Sequence, residues 1–215
     1  MGEHDMADMQ ALSEFLQRGK AKEVKELVQQ AVSEGLSAED ILDQGLLVGM
    51  NKIGVKFKNN EVFVPEVLIA ARAMNAGMEI LKPLLAAANA QNRGTVVLGT
   101  VKGDLHDIGK NLVGMMMKGK GLTVIDLGTD VPPERFAEEA AKHSAQIIAC
   151  SALLTTTMKE MEKVVKAVKS AGLDVKVMVG GAPVTEAFKT SIGADFYSPD
   201  AATASEIALQ VCRNA

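Results

Sequence analysis

The most concentrated polar chemistry in this chain sits in one short run, Gly103-Asp104-Leu105-His106-Asp107-Ile108-Gly109-Lys110-Asn111. A carboxylate two residues before a histidine can fix its tautomer and raise its basicity, which makes His106 a candidate metal ligand with Asp104 as its partner. The same pair also reads as an ordinary loop hydrogen bond. Phosphate-binding readings lose ground on spacing. Five residues separate Gly103 from Gly109 where a Walker loop has four, Asn111 stands where Ser or Thr would bind Mg²⁺, and the GxGxxG fingerprint is absent. Two further runs, Ser151-Ala152-Leu153-Leu154-Thr155-Thr156-Thr157 and Gly180-Gly181-Ala182-Pro183, supply hydroxyls and glycines that can line a slot and let a ligand approach the backbone. Each alone reads as turn chemistry or helix capping; the three together, in this order, do not.

These runs need elements that bring them together. After Gly94 short β-rich runs alternate with amphipathic helices, the pattern of a parallel sheet covered on both faces. Strands are expected at Thr95–Thr100, Leu122–Asp126, Gln146–Ser151, Lys176–Val179 and Ala194–Tyr197. Five such strands make a flavodoxin-like (Rossmann-like) α/β domain, whose ligands bind beyond the carboxyl ends of the strands. All three runs follow strands, so they share that edge.

Before the sheet the pattern is helical only, with apolar residues at helical spacing over 6–18, 20–35, 38–57 and 64–88, an N-terminal four-helix bundle. Ser37 is a plausible N-cap with a carboxylate three residues on, and Pro65 fits the first turn of the fourth helix. The polar stretch over residues 86–94 reads as a linker, with domains at 1–90 and 91–215 and a hinge at Gly94.

Composition narrows the function classes. With 215 residues, 47% of them hydrophobic, the chain can bury two cores. A formal charge of −4 and a pI near 5.5 argue against a nucleic-acid partner. No apolar run approaches the roughly 18 residues of a membrane span, and the first residues lack the basic and apolar regions of a signal peptide, so a cytoplasmic location is expected. Cys150 and Cys212 have no CxxC spacing, which points to buried thiols rather than a disulfide framework or a zinc site.

The pattern Asp104-x-His106-x-x-Gly109, then Ser151-x-Leu153, then Gly180-Gly181 resembles the cobalamin-binding motif of methionine synthase and of the corrinoid proteins of methylamine, methanol and methoxy-compound methyltransferase systems. The likeness extends to Thr100–Gly103, Ser151–Met158 and Val179–Pro183. It also reaches the helical half, through Gly49-Met50-Asn51-Lys52-Ile53-Gly54 and Phe63-Val64-Pro65-Glu66-Val67-Leu68, which are similar to the family's helical cap domain.

The resemblance implies a cobalamin or related corrinoid bound base-off/His-on, with His106 as the lower axial ligand of cobalt. Asp104 would then bond the other ring nitrogen, and Thr157 would replace the serine that completes the triad in methionine synthase. Gly109 matches the glycine that makes room for the nucleotide tail, beside Asp107 and Ile108; Ser151, Leu153, Thr155, Gly180 and Gly181 match the walls of its slot. Phe57, Val64 and Val67 match the residues that cover the upper face, although they also read as plain helical core. A methyl group would pass between cobalt and two partners, a substrate:corrinoid methyltransferase and a methylcorrinoid:acceptor methyltransferase, with a reductive reactivation protein serving the Co(I) state. The chain is too short to hold a substrate barrel of roughly 250 residues as well. Competing readings are the cobalamin-binding subunit of an adenosylcobalamin-dependent mutase, a corrinoid-sensing regulator and a flavodoxin-like binding or phosphotransfer module.

Overall fold

A computed structural model describes residues 8–87 and 93–214, in two compact units, Met1–Gln91 and Asn92–Ala215. Most of the linker expected at residues 86–94 lies outside the described residues, as does the expected start of the first helix at residue 6.

The N-terminal unit is helical: α1 (Met9–Gln17), α2 (Ala21–Ser33), the single turn α3 (Ala38–Asp40), α4 (Leu47–Lys58) and α5 (Val64–Ala87). Asp8 caps α1 by accepting from the amides of Gln10 and Ala11. Ser37 caps α3, its Oγ accepting from the Asp40 amide at 3.0 Å. The helix expected over 38–57 is not uniform, because Ile41–Leu46 widens into a π-helical turn between α3 and α4. Gly45 lies in that turn, and a Cβ there would run into the Leu12 side chain, so α1 packs directly onto its backbone. Leu12, Leu16, Val24, Val28, Ile41, Leu46, Ile53, Val67 and Leu81 are fully or almost fully buried. Their helical spacing is what assembles the bundle.

The second unit is a five-stranded parallel sheet, β1 (Thr95–Thr100), β2 (Thr123–Asp126), β3 (Ile147–Ser151), β4 (Lys176–Gly180) and β5 (Phe196–Ser198), in the order β2-β1-β3-β4-β5. Between the strands run α6 (Ile108–Lys118), α7 (Pro133–Lys142), α8 (Lys159–Ser170) and α9 (Glu186–Ile192), and α10 (Ala201–Arg213) follows β5. Alternate strand residues face opposite cores. Val97, Ile148, Cys150, Val177 and Val179 pack with Phe136, Met161, Val164 and Val165 of α7 and α8. Val96, Leu98, Ile147, Ala149 and Met178 pack with Met117, Ala204 and Ala208 of α6 and α10.

Five strand ends differ from expectation by a residue or two: β2, β3 and β5 begin later and β4 and β5 end one residue later, and two of the starts have a capping reason. Leu122 closes the end of α6, donating its amide to Met117 O after left-handed Gly121. Ala194 does the same for α9 after Gly193, its amide bonding Lys189 O, so β5 begins at Phe196. The order 2-1-3-4-5 sets β1 beside β3 while β2 turns outward. β1 and β3 therefore deliver their loops side by side to the carboxyl edge, where ligands of such sheets bind.

Candidate functional site

The loop leaving β1 is pinned at several points. Val101 N donates to Ser151 O at 3.0 Å and Asp104 N to Val101 O at 3.1 Å, while Thr100 Oγ1 donates to His106 O at 2.8 Å. Gly103, at φ +80°, supplies the left-handed step that turns the chain back over the sheet edge. Asp104 is thereby driven inward, with none of its surface exposed, and His106 outward, its side chain 51% exposed.

The buried carboxylate is the hub. Oδ1 accepts from the His106 amide at 3.1 Å and from His106 Nδ1 at 2.7 Å. Oδ2 accepts from the Leu153 amide at 2.8 Å, the Leu154 amide at 3.2 Å and Thr157 Oγ1 at 2.9 Å. Burial works to raise the Asp104 pKa. The bonds from the Leu153 and His106 amides, the His106 ring and the Thr157 hydroxyl outweigh it and hold the carboxyl well below the usual carboxylate range. An ionised Oδ1 accepts from Nδ1 and leaves Nε2 as the ring nitrogen without a partner on Asp104. The site thus presents an imidazole edge backed by a buried carboxylate, on a half-exposed side chain.

Apolar side chains are exposed in the same loops. Leu105 is 73% and Ile108 77% exposed in the run that holds His106, and Leu153 and Leu154 are exposed in the loop after β3. Exposed leucines and isoleucine in loops at one sheet edge suit a flat, largely apolar ligand. Gly109 opens α6, and a Cβ there would meet nothing within 4 Å, so its lack of side chain adds free space beside the loop. Gly181 has a different reason. At φ +128° a Cβ would collide with the Ala152 carbonyl, so this glycine lets the β4 loop lie against the β3 loop. A Cβ on Gly180 would touch Ser198 O at 3.1 Å. Ser151 is half-buried at the end of β3, and Thr155 is exposed.

Asp107 reaches outward, its Oδ2 accepting from Asn111 Nδ2 at 3.1 Å. In the helical unit Phe57 and Val64 are half-buried, whereas Val67 is fully buried in that unit's own core. Cys150 is buried, and burial pushes its thiol pKa up; Cys212 shifts the same way from half-burial.

Sequence reasoning missed three features here. Leu105 and Leu154 were legible as apolar residues in otherwise polar loops. The Lys110–Asp126 pair, Nζ to Oδ2 at 2.6 Å with the Lys110 side chain buried, and Asp130 join positions too far apart in sequence to be paired by spacing. Among the described residues no group of three or more metal-ligating side chains occurs.

Two family models match the chain, each described as a B12 binding domain, over residues 94–207 and 9–82. Trimethylamine corrinoid protein 1 of Methanosarcina acetivorans is 43% identical over 180 residues, covering 82% of this chain and 83% of that one. The dimethylamine corrinoid protein of Methanosarcina barkeri is 42% identical over 199 residues, covering 91% and 93%. Among solved structures, the methanol:cobalamin methyltransferase complex MtaBC from Methanosarcina barkeri superposes with a TM-score of 0.86 at 31% identity, over 95% of this chain and 79% of that one.

Proposed function

Because this chain belongs to the family of B12-binding corrinoid proteins, we propose that it is a methyl-carrying corrinoid protein, with His106 as the protein's ligand to cobalt, base-off/His-on. The observation that carries this reading is the Asp104–His106 contact at 2.7 Å, which ties a half-exposed imidazole to a fully buried carboxylate. When bound, the corrinoid supplies a cobalt centre able to take a methyl group from one methyltransferase's substrate and give it to another's acceptor.

The chain's own residues set the conditions for that exchange. Asp104 holds the proton on Nδ1, and its negative charge makes Nε2 a better donor than a free imidazole. Thr157 and the Leu153 and Leu154 amides compete with the ring for the same carboxylate, so they temper that effect. Gly109 leaves room for a nucleotide tail to pass, with Asp107 and Ile108 at its entrance and Ser151, Leu153, Thr155, Gly180 and Gly181 along the β3 and β4 loops. For Phe57, Val64 and Val67, the cover of the upper face rests on the family resemblance. The partners are a substrate-specific methyltransferase and an acceptor methyltransferase, together with a reductive reactivation protein. Names of the relatives support this choice over a mutase subunit or a regulator: both are methylamine corrinoid proteins, and the structural neighbour is a methyltransferase complex. No described helix is long and apolar enough to cross a membrane, which is compatible with a cytoplasmic site of action.

The test is reconstitution with hydroxocobalamin, followed by reduction to Co(II) and electron paramagnetic resonance. Wild type should show nitrogen coupling from a protein imidazole, and His106→Ala should lose it while the apo protein keeps its fold by circular dichroism. Wild-type spectra without that coupling would reject the ligand assignment.

A further inference from the structure

Three non-glycine residues among those described have positive φ: Asn60, Asp130 and Ser144. Asn60 and Ser144 each follow the C-cap of a helix, α4 and α7, where a left-handed residue is routine. Asp130 ends no helix. It lies at φ +54° in the turn between β2 and α7, and a left-handed residue held there by its surroundings points to a role for the turn.

In this conformation both hydrogen-bonding ends of Asp130 reach the His106 loop. Its Oδ1 accepts from Gly103 N at 2.7 Å, and its amide donates to Asp104 O at 3.0 Å. The bracket is continuous with the sheet. Thr100 N donates to Gly128 O at 2.9 Å, Val131 N donates to Thr100 O at 3.0 Å, and Val101 forms a parallel bridge with Val131. The Asp104 peptide is thus held from both sides, by Val101 O on its amide and by the Asp130 amide on its carbonyl. The Asp130 carboxylate is itself exposed, so the bond to Gly103 is not needed to satisfy a buried charge.

We propose that Asp130 is a positioning residue for His106: its carboxylate and amide clamp the Gly103–Asp104 backbone so that the buried Asp104 side chain, and through it the imidazole, keep one orientation. The inference rests on His106 being the cobalt ligand. It assigns to the β2 turn a part in the site that neither the Asp-x-His-x-x-Gly run nor the β3 and β4 loops contain.

Three variants separate the contributions. Asp130→Asn keeps an Oδ1 acceptor and tolerates the left-handed conformation. Asp130→Ala removes the acceptor and adds backbone strain, whereas Asp130→Gly removes the acceptor without strain and stays foldable if Ala is not. Two measurements apply: the ratio of His-on to His-off signal in the Co(II) paramagnetic resonance spectrum after loading with hydroxocobalamin, and exchange of the Gly103 amide in the apo protein by nuclear magnetic resonance. Loss of a hydrogen bond to a charged group should shift the His-on ratio and speed Gly103 exchange by about tenfold in Asp130→Gly and Asp130→Ala, with Asp130→Asn close to wild type. A lowered melting temperature with an unchanged His-on ratio in the Gly variant would overturn the proposal and leave His106 as the ligand. Absence of nitrogen coupling from the wild type itself would overturn the ligand reading and this inference together.

Discussion

Thr157→Val removes one strand of the Asp104 network, because valine keeps the shape of threonine and loses the hydroxyl whose single hydrogen is shared between Asp104 Oδ2 and Leu154 O, each at 2.9 Å. A hydrogen bond to a charged group contributes about 1.5–3 kcal/mol. The low end applies, since four other donors stay on the carboxylate: the Leu153 and Leu154 amides, and the His106 amide and ring. A loss of about 1.5–2 kcal/mol lowers the melting temperature of a unit the size of Asn92–Ala215 by roughly 5–8 °C. The chain has no tryptophan and one tyrosine, Tyr197 in β5, so intrinsic tyrosine fluorescence follows unfolding of the sheet unit alone. The effect also has a pH signature. Asp104 is depressed in the folded state, so it stabilises the fold above the unfolded carboxyl value of about 3.9 and loses that contribution as pH falls below it. Removing a donor brings the folded pKa back toward the ordinary value. The unfolded state is common to wild type and Thr157→Val, so the gap between them depends on the two folded pKa values alone: it should be full above the variant's folded value and close only as pH falls through both, below the usual carboxylate range. Thr157→Ser should recover most of the loss at neutral pH. A gap under about 0.5 kcal/mol at pH 7 would show that the hydroxyl does not act through the Asp104 charge.

Gly109→Ala should leave the apo protein as stable as wild type or up to about 1 kcal/mol more so, because its Cβ meets nothing within 4 Å and alanine favours α6. The same variant should bind cobalamin at least tenfold more weakly while binding tailless cobinamide unchanged, measured by absorption titration; equal weakening of both would remove Gly109 from the tail slot. Lys110→Met leaves Asp126 without its cation. Breaking a buried pair costs about 3–5 kcal/mol, but the Asp126 side chain is 39% exposed and regains water, so about 2 kcal/mol is expected in urea unfolding. The double variant Lys110→Met, Asp126→Leu should recover part of it, and a double variant as unstable as the sum of the singles would contradict a paired role.

Local spacing made half of this site legible. Asp104 and His106 are two residues apart, and a carboxylate that close to an imidazole can bond it in few ways, so the sequence pattern and the observed contact agree. The alternation of β-rich runs with amphipathic helices likewise gave the parallel sheet, because strand residues at period two face two cores. The glycines were legible as types but not as reasons. Gly109 faces open space and Gly181 admits a neighbouring carbonyl, a difference that only the placement of the β3 loop decides. Apolar residues of a helical bundle are harder still. Val67 and Phe57 are both apolar residues on helices, yet one is fully buried and the other half-buried, since helical periodicity fixes a face and not the depth within it.

What spacing could not show is the source of the remaining partners, and the strand order supplies it. Moving β2 outward brings β1 against β3, so the loop holding Asp104 meets amides 49 and 50 residues further on and a hydroxyl 53 further on. The same move carries the β2 turn back across the other side of the β1 loop, where Asp130 contacts Gly103 from 27 residues away. Asp104 is thus held between two loops that neighbour it only through the sheet. A buried carboxylate with that many donors has little freedom to turn, and its orientation fixes that of the imidazole. Substitutions in either flanking loop can therefore change how His106 presents its nitrogen without touching His106, whereas the exposed leucines and isoleucine beside it can vary in size and leave that presentation intact.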